Sequence, residues 1–136
     1  MAVKFQDYSV QVKAAMEDAI EIFLESASSE LKTAAQRNSR IDTGQLKGSW
    51  DYKVDMGSHS SDIGSPLENA IWEEFGTGEY AAKGNGRKGG WFYVDAKGEG
   101  HFTRGKRPNR TLERAFNSLK SKIIRMAEQI FKERMN

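Results

Sequence analysis

The chain has 136 residues, of which 38% are hydrophobic and 29% charged, and it contains 13 glycines, two prolines and no cysteine. A chain of this length buries roughly 68% of its unfolded surface and has room for one core, so we expect a single domain over residues 1–136. The lack of cysteine excludes disulfides, thiolate metal sites and cysteine nucleophiles. The absence of a long apolar run, and of a basic-then-apolar start, favours synthesis in the cytoplasm without membrane insertion or secretion.

Charge is distributed unevenly along the chain, although the formal net charge is only +2. Residues 41–79 carry two basic and eight acidic side chains, whereas residues 80–114 carry nine basic and three acidic ones. Such blocks either pair within one molecule or bring the acidic face of one copy against the basic face of the next, in a head-to-tail ring. Neither arrangement requires nucleic acid.

Two long amphipathic helices are predicted near the ends of the chain. Apolar residues recur every three or four positions from Val12 to Ala35, and again from Leu112 to Ile130. This spacing is typical of a helix that buries one face. We therefore expect both apolar stripes to belong to the core.

Four strands are predicted between these helices. Residues 50–56 alternate between apolar and charged side chains, and a more polar second strand is expected at residues 59–64. A short helix or a turn is expected at residues 67–75. Residues 91–94 and 101–104 then flank a glycine-containing turn and predict a hairpin. The order indicates an α+β fold with a long N-terminal helix, an antiparallel sheet of about four strands and a C-terminal helix.

A glycine-rich stretch follows the short helix. Residues 76–105 hold nine of the 13 glycines, and glycine loses more backbone freedom on ordering than any other residue. We therefore expect a flexible, basic loop at residues 79–90 that a partner orders. Its cations and the aromatic residue that follows are candidate interface residues: Lys83, Arg87, Lys88 and Trp91.

The sequence gives little support to an enzyme or a metal site. The two histidines, His59 and His101, lack a second ligand at the spacing of a metal site. Glu73 and Glu74 are adjacent, so on a helix they point about 100° apart and cannot flank one scissile bond. Residues 76–78 are not followed by the Gly-Lys-Ser/Thr of a phosphate-binding loop. We therefore expect no catalytic residue, no metal site and no cofactor.

A basic segment at residues 104–110 supports an alternative function. Four cations lie within seven residues of the chain: Arg104, Lys106, Arg107 and Arg110. Aromatic residues at 91–93 and 102 lie nearby as stacking platforms, so the alternative is a nucleic-acid-binding module. The simpler interpretation is that the aromatics form the buried face of the hairpin and the cations a solvated turn. The four cations are also candidate interface residues.

Three motifs resemble those of the small tail-component proteins of tailed bacteriophages and prophages, which are placed in the neck and tail-completion module. Residues 42–49 look like that family's Asp-Thr-Gly-x-Leu-x-x-Ser signature. Residues 70–78 resemble its Tyr-Ala-x-x-x-Glu-Phe-Gly-Thr-Gly segment, with asparagine in place of the tyrosine at position 69. Residues 107–115 are similar to its Arg-Pro-x-x-Phe-Leu-x-x-Ala helix entry, with threonine in place of the phenylalanine at position 111.

The resemblance implies a structural, non-enzymatic protein of the virion tail or neck, made in the bacterial host cytoplasm. Such a protein acts in head-to-tail joining or tail completion. It assembles with itself, for example as a hexameric ring, and with other neck or tail proteins. Direct nucleic-acid contact is not favoured, and no membrane is involved.

The motif residues are interpreted as holding backbone geometry for such a building block. We expect Leu46 and Phe75 to anchor their turns in the core. Glu74 is expected either to accept hydrogen bonds from the amides of residues 76–78 or to pair with a cation of the basic segment. The structural motif residues are Asp42, Thr43, Gly44, Leu46, Ser49, Glu74, Phe75, Gly76, Thr77 and Gly78.

Overall fold

The structure is a computed structural model that describes residues 3, 6–40 and 44–135. Its elements, in chain order, are α1 (Ser9–Asn38), α2 (Gln45–Ser49), β1 (Asp51–Asp55), β2 (Ser60–Gly64), α3 (Asn69–Phe75), a single 3₁₀ turn (Gly78–Tyr80), β3 (Trp91–Val94), β4 (Gly100–Thr103) and α4 (Thr111–Arg134). The expected α+β class is therefore confirmed, with long helices near both ends of the chain.

The two long helices form an antiparallel pair. The side-chain amide of Asn38, at the end of α1, lies 3.5 Å from the carbonyl oxygen of Thr111, at the start of α4. Further along, Lys122 pairs with Glu30 at 3.1 Å, and Arg134 lies 3.7 Å from Asp18. Because α4 ends opposite Asp18, the first two turns of α1 extend beyond its partner.

Because of this overhang, part of the predicted apolar stripe of α1 lies outside the core. Ala27 and Ala34 are buried as expected, but Val12 and Met16 are exposed. The period of a helix identifies which side chains share a face, whereas burial also requires a partner that extends far enough. Ala19, which lies just inside the overlap with α4, is fully buried.

The β1–β2 hairpin lies against the middle of α1. The Tyr52 hydroxyl donates to the Glu25 carboxylate at 2.8 Å, and the hydroxyls of Ser28 and Ser61 are 2.6 Å apart. These contacts keep the first hairpin on the body of the protein.

A small core lies where α1, α2 and α3 meet. Ala35, Leu46, Trp50 and Ala70 are buried together. The Trp50 indole nitrogen donates to the Ser39 hydroxyl at 2.6 Å, so its polar atom is satisfied inside the core. Leu112, at the start of α4, packs against this cluster.

The predicted sheet of about four strands is instead two separate two-stranded sheets. β1 pairs with β2, and β3 pairs with β4, both antiparallel. Alternation of apolar and polar residues predicts a strand but does not specify which strand lies beside it. The helix α3 and the glycine-rich stretch separate the two hairpins, so each is paired only within itself.

Among the helices that the structure describes, none combines the length and the apolar character needed to cross a bilayer.

Candidate functional site

The second motif and the basic segment are brought together by backbone hydrogen bonds. The backbone N–H of Thr77 donates to the Lys106 carbonyl, and that of Glu79 donates to the Arg104 carbonyl, both at 2.9 Å. In return, the Lys106 N–H donates to the Thr77 hydroxyl at 2.9 Å. Residues 76–79 and 104–106 therefore run side by side, although neither is part of a regular sheet.

Glycine is required where these two segments touch. Gly78 has a φ of +61° and Gly105 a φ of +123°, both in the region that favours glycine. A Cβ on Gly105 would overlap the Thr77 carbonyl, and one on Gly78 would overlap the Arg104 carbonyl. The motif glycines therefore allow two backbones to approach more closely than any side chain would permit.

Glu73, which the sequence analysis set aside, is the most deeply buried charged residue of this junction. Its side chain is 1% exposed, and its Oε2 contacts the Lys106 ammonium. Its Oε1 lies 3.6 Å from Arg40 Nε but accepts no hydrogen bond. A cavity of about 140 Å³ adjoins this group, with Thr77 on its wall. The motif at residues 70–78 specifies Glu74 and not Glu73, so no sequence signal pointed to this buried carboxylate.

Glu74 has a role that neither expectation foresaw. Its Oε2 accepts from the Leu112 N–H at 2.8 Å and its Oε1 from the Glu113 N–H at 3.1 Å. The residue that precedes α4, Arg110, makes no side-chain cap of its own. Glu74 therefore caps α4 from another element, and its negative charge lies at the positive end of the helix dipole.

Asn109 joins the end of α1 to the start of α4. Its backbone N–H donates to the Glu73 carbonyl at 2.7 Å, and its side-chain amide donates to the Asn38 carbonyl at 2.8 Å. That amide also donates to the hydroxyl of Thr111, which is fully buried. The helix entry that carries the third motif is thus held by polar contacts.

All four cations of the basic segment have partners within the chain. Arg104 pairs with Glu79 at 3.3 Å, and Arg110 with Glu113 at 2.8 Å. The Arg107 guanidinium lies 4.7 Å from the centre of the Tyr80 ring. Lys106 contacts Glu73, so Arg104 and Lys106 pair with carboxylates of the acidic block within one molecule.

A groove of about 650 Å³ opens between α3 and the stretch that follows it. Phe75 lines this groove and is 37% exposed, so it does not anchor its turn in the core as expected. The Lys83 ammonium lies 4.9 Å from the centre of the Phe75 ring, and the Arg87 guanidinium 5.6 Å from that of Trp91. Lys88 is exposed on the same loop. The groove is therefore apolar inside and cationic at its rim.

The first motif lies at α2, on the other side of α3. Leu46 is buried in the core, and Gly44, with a φ of +80°, precedes the helix. The Ser49 hydroxyl donates to the Leu46 carbonyl at 2.6 Å. The motif residues Asp42 and Thr43 lie outside the described residues.

The tip of the second hairpin gathers three side chains that the sequence analysis did not connect. Ligand atoms of Asp95, Glu99 and His101 lie within 4.8 Å of one another. The His101 ring nitrogen is 2.7 Å from Asp95 Oδ2, and the backbone N–H groups of Lys97 and Glu99 donate to Asp95 Oδ1, both at 2.9 Å. These hydrogen bonds, that of His101 above all, hold the pKa of Asp95 below its ordinary value. The cluster therefore stabilises the turn.

The comparison with known families gives a match. The family model described as bacteriophage HK97-gp10, putative tail-component, matches residues 4–76, which is more than half of the chain. The chain belongs to this family. No curated protein and no solved structure matches it. The resemblance inferred from the motifs is therefore confirmed at the level of the family.

The family match includes the first motif of this tail component and the second as far as Gly76. Thr77, Gly78 and the basic segment lie beyond the match. In the structure, the matched part supplies α1, the first hairpin and α3, while the unmatched part supplies the glycine-rich loop, the second hairpin and α4. The groove beside α3 has walls from both parts.

Proposed function

We propose that this phage tail component is a non-enzymatic structural protein of the head-to-tail joining or tail-completion region. It is made in the host cytoplasm and incorporated into the virion. It assembles with copies of itself as a ring and contacts other neck or tail proteins. Membership of the tail-component family is the observation that carries this proposal.

The contacts of the adjacent carboxylates Glu73 and Glu74 support a structural role. Glu73 is enclosed and paired with Lys106, and Glu74 accepts two backbone N–H groups of α4. A general acid or base needs an atom that reaches a substrate proton. Glu74 uses both oxygens to hold α3 against the chain that follows; Glu73 uses Oε2 in the same way, and its Oε1 is enclosed 3.6 Å from Arg40 Nε.

The partners of the basic segment weigh against the nucleic-acid-binding alternative. To bind phosphate, Arg104 would have to leave Glu79 and Lys106 would have to leave the buried Glu73. Leaving that buried carboxylate without its partner is unfavourable. Arg107→Ala tests this alternative, because Arg107 faces an aromatic ring and not a carboxylate. Under the structural role, weak DNA retention and its salt dependence are unchanged by this substitution.

The assembly role is tested by deleting the coding sequence in the phage or prophage that carries it. We expect filled heads and separate tails to accumulate, and the wild-type sequence supplied in trans to restore joined particles. Mass spectrometry of purified virions should detect the protein. Normal joined particles after the deletion would contradict the proposed role. A Glu74→Gln variant that supports assembly but abolishes a measurable turnover would contradict its non-enzymatic character.

A further inference from the structure

One face of the second hairpin is apolar and exposed. Phe92 and Phe102 are opposite each other in the register, with their ring centres 5.0 Å apart, and Val94 lies on the same face. Phe92 is 80% exposed, Val94 71% and Phe102 51%. A two-stranded hairpin is only marginally stable by itself in water, and a contiguous apolar face of this kind is typical of a contact surface.

A second apolar surface lies in the groove beside α3. Ile71 is 61% exposed and Trp72 50%, and both line the groove together with Phe75 and Trp91. Its volume of about 650 Å³ is in the range of sites that enclose several apolar groups. The chain therefore has two exposed apolar surfaces at different places: one face of the second hairpin and the groove beside α3.

The hairpin does not fill the groove of its own molecule. Trp91 lines that groove, and side chains of a strand alternate between its two faces. Phe92 therefore lies on the face opposite Trp91, and Val94 lies on the same face as Phe92. The apolar face of the hairpin therefore points away from the groove beside it.

Charge favours contact between the hairpin tip of one copy and the groove of another. The turn at residues 95–99 carries two carboxylates and one lysine, whereas the groove is lined by the cations Lys83 and Arg87. Among the described residues, these two cations have no carboxylate partner within 4.0 Å. An acidic tip therefore complements the charge that the rim leaves unpaired.

We propose that the apolar face of the β3–β4 hairpin of one copy docks into the groove beside α3 of the next copy. The two surfaces differ, so the contact is heterologous, and repetition builds a ring if the rotation closes. This inference rests on the proposed self-assembly and specifies its interface. The glycine-rich loop is then the wall that receives the neighbouring hairpin.

The first test uses two variants that each remove one side of the contact. Phe92→Thr with Val94→Thr removes the apolar surface of the hairpin and places β-branched threonine at both positions, which suits a strand. Ile71→Glu alters the groove at an exposed position. Ile124→Glu is the matched control, because Ile124 is 52% exposed on α4. All four proteins are first compared by circular dichroism to establish that they fold.

Self-association is then measured by light scattering coupled to size exclusion. We expect each interface variant to weaken it at least about 30-fold, as loss of a central aromatic contact does, and the control to leave it unchanged. An equimolar mixture of the two interface variants retains one intact contact and should form a dimer that cannot grow. If the mixture stays monomeric, or if the control weakens association equally, the proposal is wrong.

The second test uses disulfide formation, for which the cysteine-free chain is well suited. Val94→Cys and Ile71→Cys proteins are mixed and oxidised at high concentration. We expect the disulfide that joins one of each to predominate. A product dominated by two Val94→Cys chains would indicate a symmetric hairpin contact, and no crosslink at all would exclude docking. Both results overturn this interface. An oligomer that persists without the mixed disulfide leaves the proposed assembly role standing.

Discussion

The buried ion pair between Glu73 and Lys106 gives the sharpest prediction about stability. Glu73 is 1% exposed, whereas the Lys106 and Arg40 side chains are 39% and 41% exposed. The two partners therefore differ in what their removal leaves behind. Without Lys106, a carboxylate remains buried; without the carboxylate, two cations remain that already reach water.

The expected costs follow from this asymmetry. Lys106→Met leaves Glu73 with Arg40 Nε at 3.6 Å as its remaining counter-charge. Breaking a buried pair in this way costs about 3–5 kcal/mol, and the partial compensation by Arg40 places the expected loss near 3 kcal/mol. Glu73→Gln removes the buried charge and keeps the shape of the side chain, so we expect a loss of about 1–2 kcal/mol.

Urea denaturation at neutral pH measures both free energies of unfolding. Arg104→Met is the matched control, because it removes a cation from the exposed pair with Glu79 and should cost under about 1 kcal/mol. The reasoning fails if Glu73→Gln destabilises the protein as much as Lys106→Met, or more. That result would mean that the direct contact, and not the unpaired buried charge, dominates.

Three further outcomes are expected. Glu74→Gln should lower the free energy of unfolding by about 1 kcal/mol, because the charge that caps α4 is lost; a change within error would contradict the capping role. Gly105→Ala should destabilise far more than Gly98→Ala in the same urea assay, since a Cβ overlaps the Thr77 carbonyl at the first position and meets nothing within 4 Å at the second; equal losses would refute the close-approach argument. Because folding lowers the pKa of Asp95, its ionised carboxylate stabilises the folded protein above the ordinary pKa of 3.8. This stabilisation is lost as the pH falls through the pKa of Asp95 in the folded protein. NMR titration should show this lowered pKa, and His101→Ala should move it upwards.

The apolar residues of α1 and of the second hairpin show which features a sequence pattern can predict. The spacing of apolar residues in α1 predicted a helix with one apolar face, and the helix is present. The same spacing did not reveal that Val12 and Met16 stay exposed, because that depends on where α4 ends. Likewise, the two segments that flank a glycine-containing turn predicted the hairpin that contains Phe92, but not that the Phe92 face of this hairpin would be left uncovered.

The contacts of the motif residues at the candidate site were likewise predicted only in part. Gly76 and Gly78 were among the motif residues expected to hold backbone geometry, and Gly78 meets the backbone of residues 104–105. The segment that it meets lies 26 positions further along the chain, a pairing that no local pattern encodes. Only Glu74 belonged to a motif, and it was expected to contact the amides of residues 76–78 or a cation. Instead it caps α4, while its neighbour Glu73 is buried against Lys106.

The α+β class, most of the elements and, through the motifs, the family were predictable from the amino-acid sequence. These properties depend on spacing between near neighbours, which periodicity and turn residues record directly. Three features became visible only in the folded chain: the strands form two separate hairpins, the cations of the basic segment have partners within the chain, and the apolar face of the second hairpin points away from the groove beside it. Those features arise from contacts between distant segments, whose free energies depend on burial and charge in three dimensions.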